Sequence, residues 1–415
     1  MKVITSTNLL IRSLLYSLAF SITFYDIGFS LDGIKINIPI LLILFLDSIL
    51  LIRGKFNTKD LLFIAFFLLL CFVSAFFRYP FLYYFPSLAF TICLIFPLGV
   101  SWNNINIEKE KLLNYLILGA LLSIFFIPIE LYFRYMHLFG FKGNELWLNI
   151  NGHSICYYRA SSTMLEPSHY TIVLSFIYII IDIAREKSYS VKHTLLFKYC
   201  FFVALILSVS LSGIVLIGLY FMLKLLNFII KCYINRLKII INKRILIKIL
   251  SGILLLLVFN GLSNNFIGKV GSKVRERVLL TSGVIEKQKS EGSSGVRASF
   301  LWVSKIYVTQ SPIFNILFGE GFSNYQKWLL DNAKQIGYDS GEAYNLFLVV
   351  LLSIGSIGLI SFVLMVISIS HVNFLVFNEI VFLIILFVSF FTHGYLVMYW
   401  VWIPILFFRI IKNNS

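Results

Sequence analysis

Long apolar stretches, separated by short polar ones, run through almost the whole chain. A helix that spans a bilayer needs roughly 20 mostly apolar residues, and about twelve stretches approach that length. The predicted spans lie near residues 9–27, 36–52, 60–77, 81–100, 112–136, 165–184, 194–209, 212–231, 245–262, 343–369, 374–391 and 394–411. The pattern predicts an all-α polytopic integral membrane protein whose helices form a single bundle over residues 1–415.

Two polar segments interrupt this pattern and are too long to be simple connections. The first covers residues 137–164 and the second covers residues 263–341. Loops longer than about 15 residues are usually functional or disordered. The Trp, Phe and Tyr content of the second segment argues against disorder, so we expect it to be structured.

The second long loop contains its own local signals. Its residues Phe300, Val303 and Tyr307 recur at three- and four-residue steps, which predicts a short amphipathic helix. Pro312 follows and predicts the end of that helix. Glycines in the segment 318–321 predict a tight turn, because glycine accepts positive φ.

The composition agrees with a membrane protein and excludes a nucleic-acid-binding domain. The chain is 59% hydrophobic and only 13% charged, and its formal net charge is +16. A soluble domain has about 25% charged residues. Because Lys and Arg of membrane proteins collect in cytoplasmic loops beside anionic headgroups, the net charge indicates the bilayer and no nucleic acid as partner.

The positive charges also orient the predicted bundle. Lys and Arg are frequent at 185–198 and 224–248, which the positive-inside rule assigns to the cytoplasm. Both termini are then cytoplasmic, and both long loops lie on the opposite side, with Arg159 in the first loop and Arg297 in the second. Arg78 lies in a short connection on that same side. Since guanidinium groups bind phosphate oxygens through paired hydrogen bonds, these arginines predict a lipid-attached phosphate or diphosphate ligand.

Candidate acid–base groups stand at the starts of two predicted helices. Glu166 precedes Pro167, a residue suited to a first helical turn, and His169 lies on the same helical face as Glu166. Glu342 and Tyr344 precede the span that follows the second loop. A carboxylate at a helix start can simply complement the helix dipole, or it can serve as an acid or base at the membrane face.

The residues around the first loop resemble a known family. Arg159 followed by the Leu-Glu-Pro-Ser segment at 165–168 resembles the signature of O-antigen polymerases of the Wzy type. Arg297, followed by the glycine turn at 318–321, is similar to the large-loop pattern shared by these polymerases and the O-antigen ligases. Asn345 and the helix after it resemble the next segment in both, so the resemblance covers roughly residues 155–365.

The resemblance implies a metal-independent integral-membrane glycosyltransferase that needs no cofactor. Its substrates would be glycans on undecaprenyl diphosphate, at the periplasmic face of a bacterial inner membrane. The growing glycan would move from its lipid diphosphate to a hydroxyl of the next lipid-linked unit. A chain-length regulator protein is a further partner compatible with this family.

The same resemblance suggests roles for the candidate residues. Arg159 and Arg297 would bind the diphosphate, since fixed arginines stabilise charge on a leaving group without a metal, and Arg78 is a third candidate. Glu166, Glu342 or His169 would remove the acceptor proton. Tyr344 is a candidate too, although it stands where ligases have a His, and Tyr is a poor base at neutral pH.

Two other functions remain open at this point. An O-antigen ligase would move the finished glycan to another acceptor, and Tyr344 in place of the ligase His counts against it. A flippase or transporter of lipid-linked oligosaccharide should line its centre with charged residues. The nearest mid-span charges in the sequence are Asp47 and Arg12, and the other candidate groups gather at one face.

Overall fold

The structure is a computed structural model of the 415-residue chain. It describes residues 2–24, 28–31, 34–77, 89, 91–102, 105–136, 145–150, 153–158, 160–162, 164, 166–208, 210–234, 300–321, 324–333, 345–391 and 399–412. Helices dominate these residues, as the apolar pattern predicts.

The helices are labelled in chain order over the described residues. They are α1 (Lys2–Ser21), α2 (Ile38–Arg53), α3 (Thr58–Phe77), α4 (Lys109–Tyr135), α5 (Pro167–Glu186), α6 (Thr194–Ser208), α7 (Leu211–Ile234), α8 (Phe300–Gln310), α9 (Ile313–Phe318), α10 (Asn324–Ala333), α11 (Leu346–Ser370), α12 (Phe377–Phe390) and α13 (Tyr399–Lys412). A 3₁₀ turn covers Phe96–Gly99.

Four of the described helices are long and apolar enough to cross a membrane. They are α4, α5, α11 and the part of α7 from Ser212 to Lys231, and each coincides with a predicted span. Helices α6 and α12 are apolar but shorter. The length and composition of these helices therefore indicate a polytopic helical membrane protein. The number of twelve spans stays a prediction, and the predicted span 245–262 lies outside the described residues.

The burial of these helices separates the centre of the bundle from its lipid-facing surface. In an apolar 18-residue stretch of α5, 89% of the residues are buried, whereas only 22% are buried in the corresponding stretch of α7. On α6, Leu195 and Tyr199 are 68% and 67% exposed. Large exposed apolar side chains of this kind suit contact with lipid chains, so α5 is the central helix and α6 and α7 face the bilayer.

Two short antiparallel hairpins correct the all-α expectation. Strands β1 (Gly28–Leu31) and β2 (Ile34–Asn37) pair between α1 and α2. Strands β3 (Glu145–Ile150) and β4 (His153–Tyr158) pair inside the first long loop. The dipeptides between the strands in the sequence are Asp-Gly and Asn-Gly, which are the dipeptides that most strongly favour two-residue hairpin loops.

Buried ion pairs join the helix ends at the side predicted to be cytoplasmic. Asp60 of α3 accepts a hydrogen bond from Arg409 Nη2 of α13 at 2.7 Å and another from Ser368 Oγ of α11 at 3.0 Å. His371 Nε2 lies 2.6 Å from the same carboxylate. Asp60 and Arg409 are each 1% exposed, so this cluster links three helices inside the bundle.

A second ionic cluster fixes the lipid-facing helices to the central one. Asp182 of α5 accepts hydrogen bonds from Lys198 Nζ of α6 at 2.8 Å and Lys224 Nζ of α7 at 2.6 Å. Tyr220 of α7 donates its hydroxyl to the same carboxylate at 2.6 Å. Two lysines that the charge pattern assigns to the cytoplasmic side therefore also hold α6 and α7 against α5.

Candidate functional site

The structure describes two of the seven residues predicted for the site, Glu166 and His169. The others lie outside the described residues: Arg78, Arg159, Arg297, Glu342 and Tyr344. Their predicted roles stay predictions. The site is therefore built here from Glu166, His169 and the described residues that adjoin the predicted arginines in the chain.

Glu166 and His169 open the central helix at the end opposite the Asp60 cluster. Glu166 is the N-cap residue of α5 and Pro167 is the first helical residue, as predicted, but the Glu166 side chain makes no capping hydrogen bond. Its carboxylate is 41% exposed and lies 3.7 Å from His169 Nε2. Ser168 Oγ donates to Glu166 Oε2 at 3.0 Å. The carboxylate is thus accessible, and an imidazole lies beside it.

The segment from Ala160 to Ser162 is held by a buried carboxylate of α4. Glu130 is 1% exposed, and it accepts the backbone N–H of Ser161 at 3.1 Å and that of Ser162 at 2.6 Å. Ser161 Oγ also donates to Glu130, at 2.8 Å. On the other side, Ala160 N–H donates to the carbonyl of Leu207 on α6 at 3.1 Å. Two helices therefore fix the residues that directly follow Arg159 in the chain.

Arg134 balances the charge of Glu130 one helical turn away. Its Nε donates to Glu130 Oε1 at 2.9 Å, and its Nη2 donates to Ser161 Oγ at 3.2 Å. Arg134 is 5% exposed. Because a buried charge needs both a partner and hydrogen bonds, Glu130, Arg134 and Ser161 form one unit near the C-terminal end of α4. We call these three residues the Glu130 cradle.

A strained residue links the cradle to the central helix. Ser162 has a φ of 53°, a left-handed conformation that is uncommon for residues other than glycine. Its hydroxyl donates to the carbonyl of Ser123 on α4. Ser123 Oγ lies 3.3 Å from the hydroxyl of Tyr170, a fully buried residue of α5. The hydrogen bonds around Ser162 hold this conformation just before the start of α5.

The second long loop also contacts the bundle at a defined place. Its predicted amphipathic helix is α8, which ends at Gln310, and Val303 and Tyr307 are fully buried. The predicted turn follows α9, with positive φ at Gly319 (82°) and Gly321 (91°). These outcomes confirm the helix and the turn that the sequence predicts.

That turn docks onto a break in α11. Gly355 has a φ of 77° inside this helix, which interrupts the helical conformation. Glu320 N–H donates to the carbonyl of Leu352 at 2.6 Å, and Gly321 N–H donates to that of Ser353 at 3.1 Å. A Cβ on Gly355 would lie 2.2 Å from the carbonyl oxygen of Leu317. The close approach at Gly355 is therefore between α11 and the loop helix α9, across a break that the apolar pattern does not indicate.

Asn345, which belongs to the family-like segment, begins this broken helix. Its side chain accepts the backbone N–H of Leu348 at 3.1 Å, so it is the N-cap of α11. Asn345 is 2% exposed. Its structural role is thus clear, and Glu342 and Tyr344 precede it by only a few residues in the sequence.

Sequence patterns alone missed the Glu130 cradle and the Asp60 cluster. Glu130 and Arg134 are an i,i+4 pair inside an otherwise apolar span. Ionisable side chains inside a membrane cost free energy, so those that occur there are usually paired and functional. That spacing was the available signal. Asp60 and Arg409 are 349 residues apart in the chain, so no local pattern joins them.

No group of three or more His, Cys, Asp or Glu side chains that could hold a metal ion occurs within the part of the chain that the structure describes. No family model matches the sequence. A search of curated proteins also returns no match.

Proposed function

We propose that the protein is an integral-membrane polymerase of lipid-linked oligosaccharide repeat units. It would transfer a growing glycan from undecaprenyl diphosphate to an acceptor hydroxyl of the next lipid-linked unit, without a metal, at the periplasmic face of a bacterial inner membrane. The proposal joins the family-like residues of the sequence with the arrangement of the outward end of α4 and α5.

The observation that supports the proposal most is the Glu130 cradle. The Glu130 carboxylate, which is 1% exposed, accepts the backbone N–H groups of Ser161 and Ser162, and these residues lie between Arg159 and the exposed Glu166 in the chain. Catalysis by fixed charges depends on groups held in place before the reaction. The buried ion pair of Glu130 and Arg134 holds part of the chain between Arg159, which would bind the diphosphate, and Glu166, which would be the base.

The proposed chemistry is a single displacement at the anomeric carbon of the donor sugar. The acceptor oxygen forms a bond to that carbon, and the bond between the carbon and the diphosphate oxygen breaks. The diphosphate leaves with the electron pair, and Arg159 and Arg297 would stabilise its charge. The acceptor proton moves to Glu166, whose carboxylate is accessible and adjoins His169.

Loss of the gene tests the proposal against both alternatives. Surface polysaccharide from a deletion strain would be separated by gel electrophoresis. A polymerase defect leaves single repeats on the final acceptor and removes the ladder. A full ladder stranded on the carrier lipid indicates a ligase, and single units trapped in the cytoplasmic leaflet indicate a flippase. Either of these last two results contradicts the proposal.

A further inference from the structure

A cavity of about 730 Å³ lies between α1, α2 and α4. Arg12 and Phe20 of α1, Leu42 of α2, and Lys111 and Leu122 of α4 are among its lining residues. We propose that this cavity binds an anionic phospholipid of the cytoplasmic leaflet, with the phosphate between Arg12 and Lys111. The inference does not depend on the proposed function.

The cavity has a polar end and an apolar end. Because α1 and α4 run parallel, the cations of the two helices lie at the same end. The Tyr16 and Tyr115 rings stack with centroids 5.5 Å apart, and further along both helices Thr23 Oγ1 donates to the carbonyl of Gly119 at 3.3 Å. Arg12 and Lys111 therefore lie towards the N-terminal ends, and Leu122 lies towards the other end. The N-terminal ends are on the predicted cytoplasmic side.

The polar end has the charge that a phosphate requires. Arg12 Nε is buried in the structure and has no hydrogen-bond partner among the described residues. Lys111 Nζ lies 5.5 Å from the centroid of the Tyr16 ring. Among the described residues that line the cavity, Glu108 is the only acidic one. Two cations and one carboxylate leave a net charge that one headgroup phosphate balances.

The distance from the polar end of the cavity to its apolar end matches the thickness of one leaflet. The rise of an α-helix places Leu122 about 16 Å beyond Lys111. Half of a typical hydrocarbon core is about 15 Å. Leu122 is 47% exposed, so the wall of the cavity is open to the bilayer at this depth. An acyl chain can enter sideways while the headgroup stays with the cations, which makes a lipid the fitting occupant rather than a free anion.

Native mass spectrometry of the full-length protein in detergent micelles tests this proposal. Phosphatidylglycerol and phosphatidylcholine with identical acyl chains are titrated separately, and we expect tight binding of the first only. Since a cation beside an anionic headgroup contributes on the order of fivefold in affinity, Arg12→Ala with Lys111→Ala should weaken phosphatidylglycerol binding about thirtyfold. Equal binding of the two lipids, or no change in the double variant, would overturn the proposal.

Two further variants separate the cavity from general surface charge and from misfolding. Arg53→Ala with Lys59→Ala removes two exposed cations outside the cavity, and its affinity should match the wild type. Glu108→Gln removes the competing carboxylate and should tighten phosphatidylglycerol binding about fivefold, a gain that a folding defect does not produce. The lipid site is contradicted if Arg53→Ala with Lys59→Ala loses as much phosphatidylglycerol affinity as the cavity variant, or if Glu108→Gln gains none. Displacement of the lipid by inorganic phosphate also contradicts it.

Discussion

Glu130 Oε2 accepts the backbone N–H of Ser162 at 2.6 Å, and this bond joins the C-terminal end of α4 to the residues that precede α5. Ser162 adopts a φ of 53° there. A buried carboxylate and a left-handed serine thus fix residues 161 and 162, shortly before α5 begins. The C-terminal part of the first long loop is therefore fixed to the bundle at these two residues.

Removal of the Glu130 carboxylate should destabilise the protein. Glu130→Ala leaves the Arg134 guanidinium buried without its ionic partner, and such a loss costs about 3–5 kcal/mol. The free energy of unfolding would be measured by denaturing-detergent titration. The exposed Asp331→Ala on α10 is the control and should leave stability within about 0.5 kcal/mol of wild type. A Glu130→Ala protein as stable as this control would contradict the role of the cradle.

Glu166→Gln should reduce polymerisation strongly without loss of stability. Because general base catalysis contributes about 10²–10⁴-fold, we expect a loss of that order in the rate of chain growth. Glu186→Gln is a matched control, since Glu186 is at the other end of the same helix and is 44% exposed, against 41% for Glu166. Equal rates for both variants would exclude Glu166 as the base, and His169→Gln would then be assayed in the same way.

Alanine at Gly355 and alanine at Gly218 should have opposite effects on stability, because only Gly355 lies where the second loop docks on α11. Gly355→Ala places a Cβ 2.2 Å from the Leu317 carbonyl oxygen at a φ of 77°, so it should destabilise the protein. Gly218→Ala on α7 meets no atom within 4 Å and should stabilise its helix by up to about 1 kcal/mol. Thermal unfolding in detergent measures both changes. Equal midpoints would show that the break in α11 is not required.

Two buried aspartates should differ in their contribution to stability. Asp60 binds Arg409 and Ser368, so Asp60→Asn should destabilise the protein by about 3 kcal/mol or more. Asp47 is 6% exposed, and neither carboxylate oxygen has a hydrogen-bond partner among the described residues. Asp47→Asn should therefore be neutral or stabilising. The same detergent titration compares the two, and a reversed order would contradict the importance of the Asp60 cluster.

The arginine substitutions test the diphosphate assignment. Arg159→Ala and Arg297→Ala should each abolish chain growth while the protein still inserts into the membrane. Arg297→Lys should also be impaired, because lysine lacks the paired donors of a guanidinium. Polysaccharide gels and membrane immunoblots report the two properties. Normal polymerisation in either alanine variant would remove that residue from the proposed site.

The sequence was informative where structure depends on local signals. Pro167 after Glu166 predicted the start of α5, and the glycines of the 318–321 segment predicted a turn with positive φ at Gly319. The two hairpins also had local signals, in their Asp-Gly and Asn-Gly dipeptides, but the apolar pattern around them obscured the strands. Local backbone preferences operate over a few residues, so they can be read directly from the chain.

Contacts between distant helices could not be predicted in the same way. The position of Gly355 opposite Leu317 depends on how α9 packs on α11, and Asp60 meets Arg409 only in the folded bundle. Glu130 and Arg134 were visible as an i,i+4 pair, yet their function as a cradle depends on Ser161 and Ser162 from another segment. Side-chain partners of this kind are set by tertiary packing rather than by residue spacing.

Reconstitution tests the central claim most directly. The purified protein in liposomes would be supplied with undecaprenyl-diphosphate-linked repeat units from the source organism, and chain length and released undecaprenyl diphosphate would be measured together. A polymerase produces a ladder and one released diphosphate per bond formed, and Arg297→Ala produces neither. A folded wild-type protein that yields no ladder and no released diphosphate would contradict the proposed function.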